Sequence, residues 1–220
     1  GRADVSPFVS YQYSDTEAYR VVFADVDGDG VAEAPLTDVL RARRDEFDMG
    51  VDVRLGLPYD AQLELRVPAT VARRETDSAL LSEASTSTGA GFGNIRLGLA
   101  KTILREEGVR PDVIGRISYT APTGTVDSDG LVLNSDFHRL EGSVTLLKRQ
   151  DPLAFSARFS YEEVFAKDGL DPGGQIGASL GTFLALSPET SLNFGFSYAH
   201  RGELELDGAA IGGSAERQVQ

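Results

Sequence analysis

The stretch LAFSARFSYE, residues 153–162, alternates apolar and polar side chains almost without interruption. Leu153 and Phe155 fall in one phase of this alternation, and Ser156 and Arg158 fall in the other. Successive side chains of a strand point to opposite faces, so a period of two predicts a β-strand with one apolar and one polar face.

The same alternation recurs along the chain in windows of about ten residues. Clear examples are DMGVDVRLGL (48–57), QLELRVPATV (62–71), NIRLGLAKTI (94–103) and SLNFGFSYAH (191–200). The pattern predicts strands at 6–14 (with an extension to 24), 45–57, 61–74, 92–104, 111–122, 136–148, 153–165, 174–186 and 190–201, and the start of a tenth near Ser214.

The connections between these strands alternate in length. Short turns are predicted at 58–60, 105–111, 148–152 and 187–190, and long loops at 15–44, 75–91, 123–135, 166–173 and 202–213. Such a succession predicts an all-β, up-and-down antiparallel barrel with the short turns at one end, as in transmembrane barrels.

We interpret residues 1–220 as a single β-barrel domain. The strand count predicts that the barrel is incomplete within these residues. Bacterial barrels have an even number of strands, so we expect about 12 in full, with the last ones beyond this chain. The terminal AERQVQ (215–220) lacks the aromatic residue with which such barrels usually end. Completion of the barrel by another chain is the alternative.

Composition excludes several classes of function. The chain has 34 acidic and 21 basic residues and a net charge of −13, which argues against a nucleic-acid partner. It has no cysteine, which excludes disulfides and thiol nucleophiles. No apolar run is long enough for a membrane-spanning helix, although alternating barrel strands escape that criterion.

The polar phases favour a membrane barrel over a soluble one. They carry small residues such as Gly50, Gly98 and Gly177 beside isolated charges, whereas a water-facing strand surface is usually dense in Lys, Glu and Thr. We therefore expect the apolar phase to face the lipid of the bacterial outer membrane and the polar phase to face an enclosed lumen. A soluble carrier of a small apolar ligand, with the faces reversed, is the competing interpretation.

Three stretches carry a resemblance to a known family: VDVRLGLPYDAQLELRVPATVARRE (51–75), GAGFGNIRLGLAKTILREEG (89–108) and RISYTAPTGT (116–125). They resemble the outer-membrane β-barrel family of the meta-cleavage pathway of phenol degradation. None of the three is a catalytic signature. The resemblance implies a barrel that transports hydrophobic aromatic molecules or exports secreted fibre subunits.

The predicted lumen face carries charges of both signs. A ladder of such charges across a barrel can select ions and solutes; equally, the charges can simply pair and fill the interior. The predicted pore-lining residues are Asp48, Asp52, Arg54, Glu64, Arg66, Arg96, Arg116, Arg139, Glu141, Arg158 and Glu162.

The stretch DVDGDGVAEA (25–34) begins like a calcium loop, with Asp25, Asp27 and Asp29 at alternate positions. The twelfth position, where a bidentate Glu is needed, is Leu36. Asp-Gly pairs are also strong turn signals, so a turn is favoured over a specific site. Weak calcium binding by the three aspartates at the 25–30 loop, bridging to lipopolysaccharide, is the alternative; no other cofactor is expected.

An enzyme is not expected. The chain has two histidines, His138 and His200, and both fall in the apolar phase of their strands, away from a lumen where substrate would lie. No Gly-x-Ser-x-Gly elbow or phosphate-binding glycine loop is present.

The leading hypothesis is a porin-like outer-membrane channel that passes small solutes, aromatic ones included, or an exported substrate. Loops 15–44 and 75–91 would gate it, and ASTSTGAGFG (84–93) would be a mobile loop able to fold into the pore. The second hypothesis is a non-transporting structural barrel whose external loops bind a surface filament or an envelope partner. Expected partners are outer-membrane lipid and lipopolysaccharide, with a second copy of the chain as a further candidate.

Overall fold

The computed structural model describes residues 2–24, 34–78, 84–187 and 190–219, and these residues form strands and connections without a helix. Accordingly, none of the described residues belongs to a helix that could cross a membrane. The strands are β1 (Ala3–Ala24), β2 (Ala34–Leu57), β3 (Ala61–Ser78), β4 (Ala84–Phe92), β5 (Arg96–Leu104), β6 (Asp112–Thr120), β7 (Asp127–Ser128), β8 (Leu131–Val132), β9 (Arg139–Gln150), β10 (Leu153–Val164), β11 (Leu170–Asp171), β12 (Gln175–Ser187), β13 (Thr190–Arg201), β14 (Glu205–Leu206), β15 (Ala209–Ala210) and β16 (Glu216–Val219).

The main sheet runs in the order β1-β2-β3-β5-β6-β9-β10-β12-β13-β16, and β4 pairs with β3 beside this path. Every pairing in this sheet is antiparallel, and the strands of the main path follow one another in chain order. The predicted all-β, up-and-down antiparallel architecture is confirmed. Within the described residues β1 and β16 are not paired with each other, so the sheet is open.

The first hairpin is longer than predicted. β1 has 22 residues and β2 has 24, and they stay in register from Ala3 opposite Leu55 to Ala24 opposite Ala34. The predicted extension of the first strand to residue 24 is therefore confirmed, and the loop predicted over 15–44 is wrong for its described residues, 15–24 and 34–44. The acidic residues Asp15 and Glu17 lie in β1, and each of them faces an arginine of β2.

Two ion pairs join the far half of this hairpin. Glu17 lies opposite Arg41 and forms an ion pair with it. Asp15 lies opposite Arg43, with Arg43 Nε 3.8 Å from Asp15 Oδ2. Opposite charges facing each other across an antiparallel pair favour the ladder by about 0.2–1 kcal/mol each, so these residues extend the strands.

The predicted loop 75–91 is also mostly strand where it is described. β3 continues to Ser78, and β4 pairs with it from Ala69 opposite Phe92 to Asp77 opposite Ala84. The stretch 84–93, predicted to be a mobile loop, is thus strand up to Phe92. The serine, threonine and glycine content of this stretch suggested a loop, but these residues pair with β3 as strand residues do.

The strand predicted over 92–104 is interrupted at 93–95, and Pro68 explains why. The Pro68 carbonyl points toward this interruption and accepts a hydrogen bond of 2.8 Å from the Gly93 N–H. Proline has no N–H to return, so the ladder cannot continue through it. A Cβ at Gly93 would lie 2.6 Å from Pro68 Cγ, so a glycine is needed at the break.

The exposure of the two phases is the reverse of that in a soluble protein. On β5, Leu97 and Leu99 are 49% and 43% exposed, whereas Gly98 and Ala100 between and beside them are buried. Phe155 on β10 and Phe194 on β13 are 41% and 64% exposed. The apolar phase therefore lies on the open side of the sheet, and the small and polar phase is the more enclosed one.

Candidate functional site

The charged residues predicted to line a pore meet on one face of the sheet. The strand register places Arg54 opposite Glu64 and Glu64 opposite Gly98. Gly98 is in turn opposite Ser118, which is opposite Glu141. A row of polar or small residues thus crosses five neighbouring strands, although a role of these residues in lining a pore remains a prediction.

Arg66 and Asp52 form the best-defined pair of this face. They lie opposite each other on β3 and β2, and the guanidinium donates to both carboxylate oxygens over 2.7 and 2.8 Å. The Phe8 ring lies under the same guanidinium, with its centroid 4.5 Å from Arg66 Cζ. Two parallel hydrogen bonds and a cation–π contact fix the orientation of Arg66.

Glu141 joins two arginines from different strands. Arg158 Nη2 donates to one carboxylate oxygen over 2.6 Å, and Arg96 forms an ion pair with the other. Arg96 also donates to Ser118 Oγ over 2.8 Å. The Glu141 side chain is only 17% exposed, so it shares one negative charge between two positive ones in a half-enclosed place.

Further pairs continue the network at the same face. Arg116 Nη2 donates to Glu64 Oε1 over 2.8 Å, and Gln62 donates to the same oxygen over 2.8 Å. The remaining predicted residues make looser or neutral contacts: Arg139 with Glu162 at 3.7 Å, Arg54 with Asp4 at 3.9 Å, and Asp48 with the Thr70 hydroxyl at 2.5 Å. The structure therefore brings charges of both signs together across β2, β3, β5, β6, β9 and β10.

A second feature of this face was missed by the sequence analysis: the connection between β6 and β9 folds back onto it. Within this connection β7 and β8 form a small hairpin, whose turn places Asp129 and Gly130 at φ of 52° and 76°. Leu131 and Leu133 of the hairpin are 1% and 7% exposed and form a buried cluster with Ala72 of β3. Ala72 belongs to the polar phase of β3, because Thr70 and Glu64 share its parity.

Polar contacts hold this hairpin in place. Arg44 Nη1 donates to the Val132 carbonyl over 3.1 Å. Asn134 donates to the carbonyls of Phe92 and Thr125 over 3.0 and 2.9 Å, and Asn94 donates to that of Ser135 over 2.8 Å.

Glycines of β4 make room for the hairpin. A Cβ at Gly89 would lie 2.9 Å from the Ser128 carbonyl oxygen, and one at Gly91 would lie 2.4 Å from Thr125 Cβ. Two signals were available in the sequence: the Gly-x-Gly spacing at 89–91, and the Leu-x-Leu motif at 131–133 that follows the Asp-Gly pair at 129–130.

The metal site predicted at Asp25, Asp27 and Asp29 lies outside the described residues. In the part of the chain that the structure describes, no three His, Cys, Asp or Glu side chains are grouped to hold a metal ion. Weak calcium binding at this segment stays a prediction.

The two histidines are not near each other along the sheet. His138 Nδ1 is 2.5 Å from the Tyr119 hydroxyl, and the two rings stack with centroids 5.8 Å apart. His200 is on β13, and its Nδ1 is buried without a hydrogen-bond partner in the described residues.

The short-turn end of the sheet is tied by ion pairs outside the long strands. Arg105 donates to Asp60 over 3.1 Å, and this hydrogen bond lowers the pKa of the Asp60 carboxyl. Lys148 Nζ donates to Glu106 Oε1 over 2.7 Å, which is the main reason that the pKa of Glu106 is lowered. These pairs join the turn after β2 to the turn after β5, and that turn to the end of β9.

Comparison with known proteins identifies the fold. No protein-family model and no curated protein matches the chain. The crystal structure of an outer membrane channel from Pseudomonas putida F1 is similar, with a TM-score of 0.59 and 16% sequence identity. The match covers 92% of this chain and 75% of that chain. At this identity the similarity shows the fold, and it confirms the predicted β-barrel architecture of the outer-membrane type.

Proposed function

We propose that the chain is a passive channel of the bacterial outer membrane, through which small solutes pass along the charged face described above. The observation that carries this proposal is the exposure of the apolar phase. Large apolar side chains of this phase on β6, β10 and β12, such as Ile117, Phe159 and Leu180, are 50%, 55% and 57% exposed. Soluble monomers rarely expose contiguous apolar surface of more than a few hundred Å² (~300–600 Å² for the largest patch), whereas a barrel in lipid requires it.

The opposite face provides a path for polar solutes. Charges of both signs stand at intervals along it, and small residues such as Gly98 and Gly177 leave space between them. Once the barrel is closed, this face becomes its lumen. The outer-membrane channel from Pseudomonas putida F1 supports the proposal through its shared fold.

The β7–β8 hairpin is the element that narrows this path. The hairpin lies on the charged face, where Leu131 and Leu133 are buried against Ala72. Gating by loops 15–44 and 75–91, as the sequence suggested, stays a separate prediction. The family resemblance suggests that the transported molecules are aromatic or that the substrate is an exported one. In this proposal, lipid and lipopolysaccharide surround the barrel.

Planar-bilayer recording with the purified protein tests this function. We expect stepwise, ohmic current increments in KCl solution after insertion of single molecules. Liposome swelling in isotonic solutes of increasing size would then report the width of the path. Absence of conductance and of swelling, with the barrel folded in the same liposomes, contradicts the proposal.

The second candidate function is a structural barrel whose external loops hold a surface filament or an envelope partner. The pairing of the charges favours it: Arg66 with Asp52, and Glu141 with Arg96 and Arg158, use these groups to fill the interior. This function predicts a folded, membrane-inserted protein that passes neither ions nor sugars. The same recording therefore separates the two functions.

A further inference from the structure

The charged face contains a hollow that is richer in positive than in negative charge. It has a volume of about 150 Å³, and its charged lining consists of Arg54, Arg66, Arg96, Arg116, Asp52 and Glu64. Four guanidinium groups therefore face two carboxylates in a chain whose net charge is −13. A local excess of arginine against the sign of the whole chain indicates a place for an incoming anion.

Hydrogen-bond donors remain available in this hollow. Each guanidinium has five N–H donors. Arg116 uses Nη2 for Glu64, and Arg96 uses Nε and Nη2 for Ser118 and Glu141. Arg54 lies 3.9 Å from Asp4, which is longer than a hydrogen bond. The contacts of these three arginines leave N–H groups to bind an oxyanion.

A larger hollow of about 560 Å³ adjoins the first, and Arg66 lines both. Phe8, Pro68 and Leu133 give this second hollow an apolar side, and its charged lining consists of Glu46, Asp48 and Arg66. Gly50 makes room for the Phe8 ring, because a Cβ there would lie 2.8 Å from ring carbons. An arginine-rich hollow thus continues into one with an apolar wall.

We infer that the two hollows together bind a small organic carboxylate with an apolar body. The carboxylate takes hydrogen bonds from Arg54, Arg96 and Arg116, and the apolar body lies against Phe8 and Leu133. This inference names a solute class for the proposed channel and in that sense rests on the proposed function. The binding itself is measurable without any conductance.

The first measurement is titration calorimetry of the detergent-solubilised protein with hexanoate. Three probes each lack one property of hexanoate. Acetate lacks the apolar body, hexanol lacks the charge, and hexylammonium carries a positive instead of a negative charge. We expect hexanoate to bind more tightly than each of the three. Equal heats for hexanoate and hexanol would show partition into micelles only and would overturn the inference, and acetate equal to hexanoate would overturn the apolar part of it.

The second measurement uses two variants and a matched control. Arg54→Gln and the double variant R54Q/R116Q should weaken hexanoate binding, the double variant by about tenfold, because charge-assisted hydrogen bonds are lost. Arg105→Gln also removes an arginine from an Arg–Asp pair, but in the turn outside both hollows, and should leave hexanoate affinity unchanged. Arg54 has no short contact to lose, so this single variant keeps the test valid if the double variant misfolds. Unchanged affinity in Arg54→Gln, or equal loss in Arg105→Gln, overturns the assignment.

Bilayer recording then distinguishes this inference from the proposed function. Brief current blocks by hexanoate that shorten in Arg54→Gln support both. An open channel without hexanoate block or binding overturns the carboxylate site and leaves the channel standing. Hexanoate binding without any conductance supports the site and contradicts the channel.

Discussion

Glu141 on β9 accepts a hydrogen bond of 2.6 Å from Arg158 on β10, although the residues directly opposite them in the ladder are Glu162 and Thr145. The pair therefore runs diagonally along the face. The second oxygen of Glu141 is paired with Arg96 of β5, which lies two strands away in the sheet. One carboxylate thus links β5, β9 and β10 on the charged face.

Neutralising this carboxylate should affect both stability and ion preference. In Glu141→Gln two arginines lose their shared acceptor in a half-enclosed site, so we expect a loss of about 1–2 kcal/mol in the free energy of unfolding. The same change leaves more positive charge on the path and should shift the reversal potential in a KCl gradient toward anions. Equilibrium unfolding in lipid vesicles and bilayer recording are the measurements.

Glu162→Gln is the matched control for that prediction. Glu162 is on the same face, but its nearest ion-pair distance, to Arg139, is 3.7 Å. A long contact of this kind contributes little, so its removal should change unfolding by less than about 0.5 kcal/mol. Equal losses in the two variants would show that the diagonal network does not stabilise the sheet beyond ordinary pairing.

Release of the β7–β8 hairpin should widen the path. Replacing Leu131 and Leu133 together with serine removes buried apolar surface and should cost about 2–4 kcal/mol, enough to detach the hairpin. We expect a larger single-channel conductance and faster proteolysis between residues 121 and 138. Val132 lies between the two leucines and is 59% exposed, so Val132→Ser should leave both properties unchanged. An unaltered conductance in the double variant would mean that the hairpin does not narrow the path.

Much of the sheet could be predicted because strand alternation is a local property of the chain. Residues such as Phe155 and Arg158 reveal their faces by parity alone, and the observed strand β10, Leu153–Val164, ends within one residue of the predicted 153–165. The start of β2 at residue 34 was not predicted, because there the charged residues Glu17 and Arg41 pair across the strands instead of marking a loop.

The candidate site also has a part that could be predicted from the sequence and a part that could not. The face on which Arg66 and Glu141 lie follows from parity, so the set of charged residues could be predicted. Their partners could not, because the pairing of Glu141 with Arg96 depends on strand register and on side chains that reach along the face. The inward hairpin also required three-dimensional information: Leu131 and Leu133 are in a connection, and only the folded chain shows that they pack against Ala72 and that Gly89 leaves room for Ser128.

The orientation of the two faces yields a third prediction. Phe159 and Ser160 are neighbours at the centre of β10, and Phe159 is 55% exposed. Phe159→Arg would place a charge in lipid and should destabilise the inserted protein by about 2–4 kcal/mol. Ser160→Arg points to the charged face and should cost much less. Unfolding from vesicles measures both, and a neutral Phe159→Arg would favour a soluble protein with a water-facing apolar phase.

The ion pairs of the short turns yield a prediction on pH dependence. The pKa of Glu106 is lowered, chiefly by the hydrogen bond from Lys148 and, among smaller causes, by that from the Arg149 backbone N–H. A carboxyl whose pKa is lower when folded stabilises the protein above its unfolded pKa, which is about 4.3, and this contribution is lost as the pH falls through the lower, folded value. The stability difference between the wild type and Glu106→Gln should therefore be constant from about pH 7 to 5, and it should shrink as the pH falls below about 4.3 and through the folded value.

Thermal unfolding across this pH range in detergent measures the difference. Glu107→Gln provides the control, since Glu107 is in the same turn and its side chain is exposed. Subtracting the stability of the variant from that of the wild type at each pH removes the contribution of all other carboxylates that titrate alike in both proteins. A difference that stays constant down to the lowest pH at which both proteins are folded would mean that Glu106 stabilises the turn through its shape or its backbone contacts rather than through its charge.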